Sequence, residues 1–287
     1  MIGPAARVSC PQPPLLGARS PCEAAMENPG SHLQQMRATA PLVHNITNFV
    51  AMNIMANVLL AAGASPAMVH ARDEVAEFAG LSHALTVNIG TLDAEWAASM
   101  ATAAQVMRDA GRPWVLDPVG VGATAFRKQV AAELLALRPT VVRGNASEIM
   151  ALANIGGGGR GVDAADPVEA AEAAARALAE RTGGVVAVSG PVDYVTDGTT
   201  SFRVHNGHAL MPRITALGCS LNGVIAAFLV GQPALTSTVA ALAYYGLAGE
   251  RAGDTASAPG AFQSAFLDAL FTLSPESVTA GARIVRA

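Results

Sequence analysis

Nine residues in the last third of the chain, Thr215-Ala216-Leu217-Gly218-Cys219-Ser220-Leu221-Asn222-Gly223, set small side chains directly ahead of a long apolar run. The first backbone N–H groups of a helix have no intrahelical partners; they converge on one spot, and the helix dipole adds partial positive charge there. A helix starting here therefore makes an anion hole. Cys219 falls in its first turn, where the dipole is expected to lower the thiol pKa and let the thiolate act as base or polariser toward an alcohol. A lone cysteine in that place is equally readable as an inert buried thiol.

Three further stretches put polar groups at the ends of apolar runs. In Asp117-Pro118-Val119-Gly120 the acid follows Trp114-Val115-Leu116, and ligands of open α/β sheets gather at the carboxyl ends of strands; an Asp-Pro pair is also a turn initiator. In Val141-Val142-Arg143-Gly144-Asn145-Ala146-Ser147-Glu148, the Arg143 guanidinium suits nucleotide phosphates through its paired donors. Glu148 suits Mg²⁺, a cation that keeps most of its waters. Asn145 and Glu148 also have the spacing of an N-cap and its capping-box partner, and both readings can hold. Ser189 closes the run Val185-Val186-Ala187-Val188 with a hydroxyl able to donate to a phosphate, or with a plain Ser-Gly turn. Asn45, Asn48 and Met68 supply two amides and a soft thioether, although a Met after Ser-Pro-Ala is ordinarily core.

Elements must hold these groups. Strands are expected at 41–44, 64–70, 84–89, 114–116, 140–143 and 185–189. Helices are expected between them at 49–62, 72–78, 94–110, 126–137, 146–153 and 167–181. Such alternation implies a mostly parallel sheet with helices on both faces. Asp197-Gly198 marks a hairpin between 194–196 and 201–205, and after Gly218 the chain reads as mainly helical. The tetraglycine Gly156 to Gly159, with Arg160 and Gly161, reads as a flexible surface insertion, because no strand runs directly into it as a dinucleotide fingerprint requires. Residues 1–25 are Pro/Gly-rich and read as a disordered leader or a product of start-site choice, since Met26 and Met36 are both plausible starts. The rest, 26–287, is expected to be a single domain.

Composition narrows the function. Of 287 residues, 51% are hydrophobic and only 5% aromatic, which suits Ala-rich helices on Val/Ile strands. A net charge of −4 with scattered Lys and Arg argues against nucleic acid as a partner. The richest apolar window, Gly223 to Val239, is broken by Gly231-Gln232-Pro233, so no membrane span is expected. Three cysteines make no complete disulfide set, which fits reduced thiols and a cytoplasmic protein.

From about Pro41 to Leu270 these motifs, in this order, resemble the hydroxyethylthiazole kinases of thiamine salvage, members of the ribokinase-like superfamily. That resemblance implies a three-layer α/β/α sandwich, ATP and Mg²⁺, and phosphorylation of the hydroxyl of 4-methyl-5-(2-hydroxyethyl)thiazole. It implies catalytic roles for Gly218 and Cys219, and substrate contacts from Met68, Asn45, Asn48 and Ala216. Arg143 and Ser189 would bind ATP, Asp117 and Glu148 the metal, and a homotrimer would carry its sites between subunits. Two positions depart from the family pattern. Ala216 stands where a glycine is usual, which is strained if φ is positive there, and Ser189 stands where threonine is usual. Two other readings are a nucleotide-dependent hydratase-type lyase of damaged nicotinamide cofactors, whose relatives keep Asp at the place of Cys219, and a degenerate nucleotide-binding relative.

Overall fold

The computed structural model describes residues 28–155 and 167–287; the leader at 1–25 and the glycine-rich insertion at 156–161 lie outside the described residues. Six apolar runs form β1 (Leu42–Ile46), β2 (Ser65–Ala67), β3 (Ala84–Asn88), β4 (Trp114–Asp117), β5 (Val141–Asn145) and β6 (Val185–Ser189). They pair in parallel in the order β2-β1-β3-β4-β5-β6. Antiparallel β7 (Asp193–Thr196), β8 (Ser201–Val204) and β9 (Ile284–Arg286) extend the sheet to nine strands. The β7–β8 hairpin turns at Gly198, φ 96°, while Asp197 Oδ1 accepts the N–H groups of Thr199 and Thr200.

Strand side chains alternate between two cores, as a period of two demands. Val115, Val141, Val185 and Ala187 face one core. Their neighbours Leu116, Val142, Val186 and Val188 face the other. The first core is closed by α1 (Pro29–Thr39), α2 (Met52–Ala62), α8 (Leu217–Phe228), α9 (Ala234–Gly253), α10 (Pro259–Thr272) and α11 (Pro275–Gly281). The second is closed by α3 (Val75–Leu81), α4 (Ala94–Asp109), α5 (Ala125–Ala136), α6 (Ala146–Ala153) and α7 (Pro167–Thr182). The architecture is the expected α/β/α sandwich. From Ser220 to Phe228 every residue of α8 is buried, the mark of a helix enclosed on all sides. No helix among the described residues is long and apolar enough to cross a membrane.

Five elements differ from expectation, among them α3, expected at 72–78 and found at Val75–Leu81. Helix α1 lies ahead of the first expected element, the strand at 41–44; it is fastened by Arg37, which donates to Ala62 O at 3.1 Å, Leu273 O at 2.7 Å and Leu270 O at 2.8 Å. Gly30 lies so close to α11 that a Cβ there would stand 1.9 Å from Pro275 O. Helix α2 begins at Met52, because Ala51 N–H closes a turn back to Asn48 and leaves Phe49 and Val50 exposed. The strand expected at 64–70 is only Ser65–Ala67, an edge strand containing Pro66, which lacks the N–H a central strand needs. At the opposite edge β9, three residues ending in Arg286, was not anticipated at all.

Candidate active site

The polar residues gather because the parallel strands end in register. Asn88 on β3 lies opposite Asp117 on β4, and Asn145 on β5 opposite Ser189 on β6. Against this row of carboxyl ends stands the start of α8. Its first i→i−4 bond runs from Ser220 N–H to Ala216 O, 2.9 Å, so Leu217, Gly218 and Cys219 bring N–H groups with no intrahelical acceptor. No side chain caps this end. Ala216 itself is left-handed, φ 63° and ψ 7°, the backbone that glycine takes freely and alanine resists.

Arg143, near the end of β5, donates from Nη1 to Gly218 O at 2.9 Å, and its Nε is buried without a partner. A Cβ on Gly218 would lie 3.2 Å from Nη1, so glycine is what lets the guanidinium sit this close. Ser189 Oγ donates to Gly144 O at 3.2 Å. At the start of α6 both sequence readings of Glu148 meet. The capping box forms, with Asn145 N–H to Glu148 Oε2 at 2.9 Å and Glu148 N–H to Asn145 Oδ1 at 3.0 Å. The other oxygen, Oε1, accepts Gly120 N–H from the loop after β4, at 3.0 Å. Glu148 thus ties the two loops that follow β4 and β5.

Asp117 is 2% exposed. Its pKa is raised to about 7, by burial above all and by Glu148 in addition, against the opposing effects of Arg143 and of hydrogen bonds from Asn88 and Cys219. Its Oδ2 accepts from Asn88 Nδ2 at 2.5 Å and from Asn222 Nδ2 at 2.7 Å. Asn48 Nδ2 donates to Asn88 Oδ1 at 2.9 Å and to Cys219 Sγ at 3.4 Å. The Cys219 thiol does not have the lowered pKa expected from its helix position: burial pushes it up, and the neighbouring Asp117 adds to the rise. Desolvation of a thiolate beside a carboxylate outweighs the dipole.

Asn45 and Met68 lie apart from this cluster. The Asn45 amide is engaged within the sheet, donating to Val43 O at 2.8 Å and Ala67 O at 3.3 Å and accepting from Thr86 Oγ1 at 2.9 Å. Met68 is half-buried against the α2–α8 side of the core. Asn222 and Asn88 are two polar residues of this cluster to which sequence reasoning assigned no role. Asn222 had a signal, a lone amide inside an apolar helix three residues after Cys219; Asn88 becomes meaningful only once β3 and β4 are in register. Beside the α8 start an open cavity of about 380 Å³ is lined by Val50, Asn53, Ile54, Arg213, Thr215 and Gln263.

The structure of the pyridoxal kinase from Staphylococcus aureus in complex with AMP-PCP shares the fold, with a TM-score of 0.61 at 14% identity, over 86% of this chain and 99% of that one. The structure of a hydroxyethylthiazole kinase protein from Pyrococcus horikoshii matches with a TM-score of 0.84 at 40% identity, over 90% of this chain and 98% of that one. Sheet order, helix layers and motifs at the carboxyl edge define a ribokinase-like α/β protein. Residues 33–276 match the model of the hydroxyethylthiazole kinase family, and a curated hydroxyethylthiazole kinase from Cereibacter sphaeroides is 62% identical over 259 residues, 90% of this chain and 99% of its own. The chain belongs to the hydroxyethylthiazole kinase family.

Proposed function

We propose that the chain is a hydroxyethylthiazole kinase that transfers the γ-phosphoryl group of ATP to the hydroxyl of 4-methyl-5-(2-hydroxyethyl)thiazole, supplying the thiazole half of thiamine. What carries the reading is family membership joined to the uncapped α8 start beside Asp117 and Arg143. Catalysis of phosphoryl transfer is mostly positioning and electrostatics, so a strong base is not required. The N–H groups of Gly218 and Cys219 hold the oxygens of the transferring group. Arg143, anchored on Gly218 O, offers its remaining donors and charge to the phosphates, and Ser189 adds a hydroxyl nearby. With its thiol pKa raised, Cys219 acts protonated at neutral pH and orients the substrate hydroxyl.

Asp117 and Glu148 would hold Mg²⁺. Asp117 Oδ2 and both Glu148 oxygens already accept N–H groups, and no group of three His, Cys, Asp or Glu side chains is arranged for a metal among the described residues. A few carboxylate oxygens, beside a thiol kept protonated, fit a hard cation that keeps water and phosphate as its other ligands. When bound, it would supply charge neutralisation to the nucleotide phosphates. For the thiazole we assign Met68, Asn48 and the backbone at Ala216. Asn45 contributes by joining β1 to β2 and β3.

A homotrimer with sites between subunits is supported by Phe49 and Val50, 63% and 60% exposed directly after Asn48 at the rim of the site. The free Cys219 thiol suits the reducing cytoplasm. An ADP-release assay with the thiazole alcohol, a pyrimidine alcohol and sugar alcohols tests the activity. Clear preference for the thiazole alcohol is expected; equal or greater turnover of another acceptor sinks the substrate assignment. Light scattering of the purified protein should give three times the mass of the chain.

A further inference from the structure

Two amides near Asp117 have their orientation fixed by main-chain donors. Asn48 Oδ1 accepts Ala51 N–H at 3.0 Å, so its NH₂ group must be the one facing Asn88 and Cys219. Asn88 Oδ1 accepts Gly90 N–H at 2.9 Å, so its NH₂ group must face Asp117. Because a peptide N–H can only donate, these assignments do not depend on telling amide N from O. Asn222 completes the set from the other side, donating to the same Asp117 Oδ2. The chain of contacts leaves α8 at Cys219 and returns to α8 at Asn222, one turn later.

Asn222 is 1% exposed, and its Oδ1 is buried with no partner. Burying half an amide unsatisfied is unfavourable, and an apolar side chain of similar size would fill α8 without that penalty. The contact that offsets it is the one to Asp117. With two donors on Oδ2, the carboxylate plane is set and Oδ1 is the oxygen left without an amide.

We propose that Asn222 is a positioning residue of the phosphoryl transfer: with Asn88 it locks Asp117 Oδ2, so that Asp117 presents one oxygen toward the nucleotide phosphates and their cation, in fixed relation to the anion hole on the same helix. The inference rests on the kinase reading above. Its consequence is that the anion hole and the carboxylate move as one unit, since Cys219 and Asn222 belong to one rigid helix.

Asn222→Leu removes the donor and the orphan oxygen together. Expected is a fall in kcat of about tenfold with KM for the alcohol unchanged within about twofold, as misplacement of a catalytic group demands. Asn222→Asp, nearest in shape, sets a carboxyl against a carboxyl and should lose more kcat than Leu does. A packing role predicts the reverse order, Asp tolerated better than Leu. Calorimetry with ADP, with and without Mg²⁺, gives a readout apart from turnover: the tightening due to Mg²⁺ should shrink in Asn222→Leu while cation-free ADP binding stays as in the wild type. Should the Leu variant fail to fold by circular dichroism, Asn222→Ser replaces it under the same thresholds. Wild-type kcat in the Leu variant, Asp outperforming Leu, or an undiminished effect of Mg²⁺ overturns the proposal. Absence of wild-type turnover would instead count against the kinase reading, leaving the ADP titrations to decide on Asn222.

Discussion

Two helices begin at the same edge of the sheet and are finished in opposite ways. Helix α6 is closed by its own sequence: Asn145 and Glu148 exchange hydrogen bonds across the first turn. Helix α8 has no side-chain cap and enters through Ala216 in the left-handed region. A capped end is locally stable and needs nothing from outside, whereas an open end keeps its N–H groups for a ligand. On the function proposed above, the rigid start holds Glu148 and the unsatisfied start is left for a phosphoryl group. The strain at Ala216 falls on the open end, as expected where function has priority over local stability.

The strongest way to break this contrast is to remove the acid beside the open end. Asp117→Ala should lower kcat by about a hundredfold to a thousandfold, the range for losing one electrostatic contact to a transition state, measured as initial rates at saturating substrates. Stability should respond to pH through the same group. Its folded pKa, about 7, lies above its unfolded value near 3.8, so the folded state binds the extra proton. This group's contribution to the stability of the unliganded protein is therefore fully present below about pH 4, is lost as pH rises to about 7, and levels off above. Denaturant midpoints across that window should be flatter in Asp117→Asn; an equally steep wild-type-like slope in the variant would assign the effect elsewhere.

Glu148 separates capping from charge. Gln at this position keeps the capping box with its one oxygen but sets its NH₂ against Gly120 N–H, so Glu148→Gln should lose about 1 kcal/mol of stability while kcat falls about tenfold to a hundredfold for the lost charge. Glu148→Ala should lose activity and also about 1 kcal/mol of stability. Normal turnover in the Gln variant would reduce Glu148 to a cap. At the open end, Cys219→Ala keeps every backbone amide, and kcat should fall only about tenfold, below the range of acid–base contributions because the thiol only orients the hydroxyl; a variant as fast as the wild type removes the thiol from the reaction. The smallest effect is Ala216→Gly, which relieves the left-handed strain and should raise unfolding free energy by roughly 0.5–1 kcal/mol after glycine's own entropy is counted.

Legibility in the sequence follows the same division between local and distant causes. Helix α6 begins and ends where its caps predict, and β6 spans the run from Val185 to Ser189, because short-range patterns decide both. Helix α1 was missed since its anchors are remote: Arg37 reaches the carbonyls that end α2 and α10, and Gly30 is selected by Pro275. The same holds at the site. The anion hole could be read from nine consecutive residues, but the thiol's raised pKa could not, because burial and Asp117, a hundred residues upstream, override the dipole. Asn88 acquires its role only from register with β4.

The two ends of the sheet also bear on how the protein survives damage. A row of open strand N–H and C=O groups templates aggregation, and short edges or proline blunt it. Here β2 contributes three residues with Pro66 among them, and β9 three residues ending in Arg286. Loss of the last five residues would uncover β8 instead, whose Phe202 and Val204 are buried in the intact fold. A protease nick after Ala282 would therefore turn a guarded border into a sticky one, and clumping of otherwise folded molecules, rather than loss of catalytic residues, would be its first symptom.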